Sequence, residues 1–221
     1  MRPVVLVAAG GLAREVLSSL RATGDREPMG FLDDNVSLHG QSIDGLPVLG
    51  PPEWAGTLAA DVILCAGRGA ARRALAERLA RAGMGARHYA THVAAGVSVG
   101  SGCQIGAGSV LLAGSVLTAD VSLGHHVVLM PQVVLTHDDV VGDFATFAAG
   151  VCLGGGVRVG RGAYLGMRSS VREGLRVGDD AVLGMGAVAV RSLPAGAVWA
   201  GVPARPLVAA ARERVAAGGT R

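Results

Sequence analysis

The chain contains no lysine; all 20 of its basic residues are arginine. Aromatic residues make up 3% of 221 positions, so a core must be assembled from aliphatic side chains in some regular arrangement. There are three cysteines, Cys65, Cys103 and Cys152. An odd number with no Cys-x-x-Cys spacing excludes a disulfide framework and a zinc knuckle, and fits a reducing compartment. Strong charge of either sign is also missing. The formal balance of +3 is scattered along the chain, leaving no basic stripe for a nucleic acid. No apolar stretch is long enough to span a bilayer, because glycines and polar residues interrupt every run at a fixed phase. The apolar run at the N-terminus lacks a secretory-type cleavage site. A soluble cytoplasmic protein is expected, without nucleic-acid or membrane partners.

What the chain has in abundance is glycine, 35 residues, and a six-residue period. From Val93 every sixth residue is a large apolar one: Val99, Ile105, Leu111, Leu117, Leu123, and onward without interruption to Val177 and Leu183. Four residues after each of these lies a second series of small or apolar residues, among them Val97, Cys103, Ser109 and Val121. Its one charged member is Asp139. A hexad that repeats in this way is the signature of a left-handed parallel β-helix, with one short side and one corner per hexad and three hexads per coil. Sixteen hexads make a little over five coils, a prism about 25 Å tall at strand spacing. The frequent glycines directly after the large residue, such as Gly100, Gly106 and Gly124, are expected to serve the corners.

Residues 1–86 do not follow this period. Pro3–Ala8 reads as a buried parallel strand that runs into Gly10-Gly11 and then a helix carrying Val16, Leu17 and Leu20. Strand, glycine turn and helix open a nucleotide-binding βα unit, whose backbone N–H groups favour a phosphate; a plain tight turn is the alternative. Gly30-Phe31-Leu32-Asp33-Asp34 is a strand ending in two acids, suited to ribose or base N–H groups or to an Asx turn. Pro47–Pro51 reads as a connection, Asp61–Gly67 as a strand and residues 70–83 as a helix. The expected organisation is a small Rossmann-like α/β domain over 1–86, the β-helix over 87–190, and a C-terminal extension over 191–221. In the extension, Arg191–Pro194 leaves the prism, Trp199–Pro206 is extended, and Leu207–Ala217 forms a short helix or a frayed tail.

Along nearly its whole length the sequence resembles hexapeptide-repeat acyltransferases. Specifically it resembles the sugar O- and N-acetyltransferases grouped with sialic-acid O-acetyltransferases and with N-acetyltransferases of UDP- or GDP-linked 4-amino sugars. The resemblance rests on the Gly10-Gly11 turn followed by Arg14-Glu15-Val16, on Gly30–Asp34, and on the pair His137-Asp138. Leu183-Gly184-Met185-Gly186-Ala187 and Gly201-Val202-Pro203-Ala204-Arg205 complete it. It implies a homotrimer with active sites in clefts between neighbouring prisms, and acetyl-CoA as co-substrate without a metal. It further implies His137 as base with Asp138 raising its basicity, and Thr146, Met167 and Met185 along acetyl-CoA. Gly11, Leu12, Ala13, Asp33, Asp34 and Gly67 would hold the sugar nucleotide. Leu12 stands where the family often has histidine, Thr146 where some members have histidine, and Met130-Pro131 where many have Asn-Thr. These departures bear on the acceptor more than on the acetyl donor.

The chemistry at His137 is intelligible from the residues themselves. It is the third residue of its hexad, at a corner facing outward. An amine protonated at neutral pH, or a hydroxyl, gains from a base that takes its proton as it attacks a thioester carbonyl, and an imidazole of ordinary pKa near 6.5 suits that task. Direct transfer then needs no cysteine or serine nucleophile. Two carboxylates adjoin the histidine. Asp139 occupies an inward slot, where a carboxylate must find hydrogen bonds; it is expected either to satisfy backbone N–H groups or to support His137 from behind. His125 repeats the slot of His137 twelve residues earlier, on another corner, as a structural or substrate-lining group. His88 and His92 are expected to be solvated or capping, and His39 to lie in a loop. Three other readings compete: O-acetylation of sialic acid or another free sugar, a non-catalytic trimeric sugar-nucleotide-binding module, and metal-dependent hydration using His125, His126 and His137.

Overall fold

A computed structural model describes residues 2–207; the helix or frayed tail expected over Leu207–Ala217 falls, beyond its first residue, outside the described residues. The N-terminal unit contains β1 (Arg2–Val7), α1 (Gly11–Thr23), β2 (Arg26–Leu32), β3 (Ser42–Ile43), β4 (Leu46–Gly50), β5 (Asp61–Leu64) and α2 (Gly69–Arg81). The strands form one sheet in the order β3-β4-β2-β1-β5, parallel except for the β3–β4 hairpin. Strand alternation sorts its side chains between two layers. Val4, Leu6, Phe31 and Ile63 pack with Leu12, Val16, Leu17 and Leu20 of α1, and the same cluster takes in Val110, Leu112 and Val128 of the prism. Val5, Val7, Leu32 and Leu64 pack with Leu75 and Leu79 of α2 on the opposite side.

Residues 47–51 are not a connection: Leu46–Gly50 is a strand, parallel to β2 through Phe31↔Val48 and antiparallel to β3. The cause is the Asp44-Gly45 turn, where both residues have positive φ (47° and 81°), the geometry that closes a two-residue hairpin.

From His92 the chain winds a three-faced prism of two-residue strands, each stacked in parallel on the strand 18 residues earlier. The first face starts at His92–Val93, the second at Ser98–Val99 and the third at Gln104–Ile105. The large residues point inward and form one continuous apolar core from Leu111 to Leu183, aliphatic but for Phe147. Val93 and Val99 are exceptions, 38% and 43% exposed, because they lie at the end of the prism where no coil covers them.

The corners do not fall where the glycine pattern suggested. The left-handed residue is three places after each large one, from Gly96 to Gly186, and all sixteen of these positions have positive φ. Seven carry side chains: Asp120, His126, Gln132, Asp138, Phe144, Arg168 and Asp180. The glycines directly after the large residue have another reason. A Cβ on Gly100 or Gly142 would collide with the backbone of the coil above.

Arg191–Pro194 does not leave the prism either. Leu193 is buried and bridges to Val177 on the third face, and Val198–Ala200 adds a parallel strand next to Val182–Leu183. Only after Ala200 does the chain turn back, with Arg205–Pro206 antiparallel to that strand.

Candidate functional site

Thr136–Asp139 forms the corner between the second and third faces. His137 projects outward with its side chain 69% exposed, and its Nδ1 lies 2.8 Å from Oδ2 of Asp138. Asp138 holds a left-handed backbone (φ 63°), a conformation aspartate tolerates better than most residues, and this directs its carboxylate back to the imidazole. With the proton of the neutral ring on Nδ1, Nε2 is left as a free acceptor. The ring lies across Gly155, one coil above, where a Cβ would collide with Nε2 and Cε1. Asp139 does not touch the imidazole. Its side chain is completely buried; Oδ2 accepts the Thr136 N–H at 2.8 Å and Oδ1 the Val157 N–H at 2.8 Å. Burial pushes its carboxyl up to about 6, against the opposing pull of those two N–H groups.

A cavity of about 1060 Å³ lies between the N-terminal unit and the first face of the prism. Gly11 and Leu12 at the start of α1, and Gly67–Ala70 leading into α2, form one wall; Met130, Pro131, Thr146, Tyr164 and Met167 form the other. Neither helix has a side-chain cap, and neither has an acid in its first turn. Both present unpaired N–H groups, the positive end of the helix dipole, towards the same space. Arg68 and Arg73 add positive charge, and Arg73 reaches Oδ1 of Asp180 at 3.5 Å across the junction. Glu15 also borders the cavity, and partial burial raises its carboxyl above the ordinary range.

Of the residues expected to hold substrates, Gly11, Leu12, Gly67, Thr146 and Met167 meet at this cavity. Met185 occupies the same corner as Met167 one coil further on, highly exposed and outside the lining. Ala13 is turned away, buried in the core under α1, because its helical phase matches Val16 and Leu20. Asp33 and Asp34 border a separate cavity of about 270 Å³ near Arg78. The Asp33 carboxylate accepts the N–H groups of Ala9 and Asn35, and both Asp34 oxygens accept from Arg78 at 2.8 Å. His137 and Asp138 line neither cavity, since they sit on a different corner of the prism from the first-face wall.

The remaining histidines separate clearly. His125 is exposed at the corner between the third and first faces, with its backbone N–H donated to Asp143; it does not touch His137. His126 is buried, stacked on Phe144 and edge-on to Tyr89, which takes it out of any trio of metal ligands with His125 and His137. His92, expected to be solvated or capping, is buried with Nε2 2.7 Å from Ser19 Oγ, because α1 packs over the first coil. His88 caps Gly85, and His39 meets the Asp33 carbonyl. Sequence reasoning missed Glu15, Arg68, Arg73, Tyr164 and Asp180. Local pattern carries no signal that α2 and the prism approach one another.

Two family models match the chain: the PglD N-terminal domain over residues 3–79, and the hexapeptide repeat of succinyl-transferase over 84–113 and 156–189. Among solved structures, the chain is similar to the acetyltransferase domain of PglB from Neisseria gonorrhoeae, with 29% identity and TM-score 0.86 over 94% of this chain and 100% of that one. It is also similar to PerB from Caulobacter crescentus, solved with CoA and GDP-perosamine, with 27% identity and TM-score 0.85 over 93% and 97%. WeeI from Acinetobacter baumannii matches with 28% identity and TM-score 0.83 over 94% and 100%. No curated protein matches the sequence.

Proposed function

We propose that the chain is a hexapeptide-repeat sugar acetyltransferase with a PglD-type N-terminal domain, and that it acetylates the amino group of a nucleotide-linked amino sugar. Acetyl-CoA is the donor. The observation that carries the reaction is the His137–Asp138 pair: an outward imidazole with Nδ1 engaged by a carboxylate and Nε2 free. The acceptor amine attacks the thioester carbonyl, Nε2 of His137 takes the amine proton, and the tetrahedral intermediate collapses with loss of the CoA thiolate. Asp138 fixes the tautomer and stabilises the imidazolium that forms. Asp139 holds the corner through backbone hydrogen bonds and takes no part in the proton transfer.

The two uncapped helix starts, together with Arg68 and Arg73, suit the diphosphate of a sugar nucleotide; that pairing favours a nucleotide-linked acceptor over a free sialic acid. CoA carries a diphosphate too, and Met167 and Met185 on one prism corner suit its pantetheine arm. We take the working unit to be a homotrimer. His137 and the cavity occupy different parts of one chain, and a neighbour's corner closing on the cavity would complete the site.

The test is a CoA-release screen of the purified protein against UDP- and GDP-linked 4-amino sugars and free sialic acids. Turnover on a nucleotide-linked amino sugar, lost in His137→Ala, is expected. Turnover on sialic acid alone would overturn the choice of acceptor, and full activity of His137→Ala would remove the assigned base.

A further inference from the structure

Arg72 lies in the first turn of α2, and its side chain is completely buried. Among the described residues no carboxylate pairs with it. Its hydrogen bonds go instead to both halves of the molecule. On the N-terminal side, Nη1 donates to the carbonyls of Ala66 (2.8 Å) and Gly67 (3.0 Å), just past β5. On the prism side, Nε donates to the His126 carbonyl at 3.0 Å. Nη2 donates to the carbonyls of Phe144 (2.9 Å) and Ala145 (3.1 Å) and to the Thr146 hydroxyl at 2.9 Å. His126 and Phe144 belong to successive coils at one corner, so a single guanidinium ties β5 to two levels of the prism. Thr146 completes the loop by donating its own hydroxyl to the Gly67 carbonyl at 3.1 Å.

The fit extends to neighbouring backbone. Gly69, which opens α2, lies so close to Phe144 that a Cβ there would collide with its carbonyl oxygen. Burial draws the Arg72 guanidinium down to about 10, which still leaves it charged at neutral pH. A buried cation without an anion is tolerated only where every donor is used, and six contacts from five N–H groups use them all. Lysine offers three donors from one point and cannot reproduce this planar spread.

Two of its partners, Gly67 and Thr146, face the large cavity, as do Arg68, Gly69, Ala70 and Arg73 on the segment it anchors. We propose that Arg72 is a positioning residue that fixes the α2 wall of the cavity against the prism and so sets the shape in which the acceptor nucleotide is held. This rests on the acetyltransferase reading for the identity of the ligand, while the clamp itself does not depend on it. Loss of the guanidinium frees the Gly67–Ala70 loop and weakens acceptor capture. The proton transfer at His137, on another corner, is untouched.

The experiment compares wild type with Arg72→Met and Arg72→Lys by steady-state kinetics and by amide hydrogen exchange at 25 °C. The acceptor KM is expected to rise at least tenfold in Arg72→Met and several-fold in Arg72→Lys. The kcat should stay within threefold of wild type, since His137 lies on another corner, and the acetyl-CoA KM should rise clearly less than the acceptor KM, since the donor is expected to meet only Thr146 among the partners of Arg72. Exchange should speed up at Gly67–Ala71 and Phe144–Thr146 and stay unchanged across the second face. A fall in kcat with unchanged acceptor KM would overturn the proposal, as would a proportionate rise in both KM values. Unchanged exchange at both segments would overturn the clamp whatever the substrate is. If wild type acetylates no nucleotide-linked sugar, the functional reading fails, and the exchange data still decide the clamp.

Discussion

Asp139→Ala probes how the corner bearing His137 is built. The wild-type carboxylate satisfies two buried backbone N–H groups, those of Thr136 and Val157, each at 2.8 Å. Alanine leaves both without acceptors, at about 1–3 kcal/mol each. Relief from burying a carboxylate returns part of this at neutral pH, leaving a net loss of about 1–3 kcal/mol. For a chain of this size that lowers the unfolding midpoint by roughly 2–12 °C. The pH dependence has a definite sign. The folded Asp139 carboxyl is pushed up to about 6 from an ordinary value of 3.8. Wild type therefore gains stability as pH falls through about 6 and loses it as pH rises, whereas alanine does neither. The deficit of the variant should widen from pH 8 to pH 5, measured by denaturant unfolding at both. Turnover should fall as well, because the Thr136 N–H closes the turn that carries His137. By contrast Asp138→Asn, which alters only an exposed carboxylate, should lower turnover and leave unfolding unchanged. A deficit below about 0.5 kcal/mol, or one that narrows towards pH 5, would refute this account of the buried carboxylate.

Gly155→Ala should displace the imidazole without unfolding the prism, since a Cβ there meets Nε2 of His137 while the backbone φ is not left-handed. A loss of kcat on the order of a hundredfold with an unchanged unfolding midpoint is expected, from misplacement of the base alone; wild-type kcat would count against the ring position described. A site shared between chains predicts complementation. His137→Ala retains the cavity and Ala149→Trp, which fills the cavity wall, retains the base. Co-expressed mixed trimers should recover about a quarter of wild-type activity, the random chance that an intact corner faces an intact cavity. No recovery would mean that each chain works alone.

The hexad was legible because its large residue is invariant in kind, and it correctly gave the coil, the inward core and the outward placement of His137. Its corner register was harder to read. Glycine is common both directly after the large residue and three places after it, for different reasons: close approach of the next coil in one case, positive φ in the other. Side chains such as Phe144 and Arg168 at seven of the left-handed corners hid the second. In the N-terminal unit, Asp44-Gly45 was an available hairpin signal that Pro47 and Pro51 obscured. Pro47 is accommodated because β4 pairs with β2 through other positions, Val48 and Gly50, and Pro47 stands opposite Ser42 only on the short β3 side. The cavity could not be read from either local period, and only the family resemblance pointed to Gly11, Leu12, Gly67, Thr146 and Met167 in its lining. Its walls come from residues as far apart as Gly11 and Asp180, and nothing in either local period specifies how α2 lies on the first face.

One class of signal does cross that gap. Asp139 is the single charge in the inward series of the ladder, and Arg72 stands in the buried stripe of α2 with Gly69, Leu75 and Leu79. Both break an apolar phase, and both are fully buried. Among the described residues neither forms an ion pair. Asp139 takes two backbone N–H groups, and Arg72 gives to five carbonyls and a hydroxyl. A buried charge survives in a fold only where such partners are fixed in place, and backbone is fixed only where two segments meet in a unique way. The misplaced charge thus marks a joint: coil to coil beneath His137 in one case, domain to prism beside the cavity in the other. Replacing either by an apolar residue of similar size would leave its stripe more regular in sequence and its joint less well defined in space.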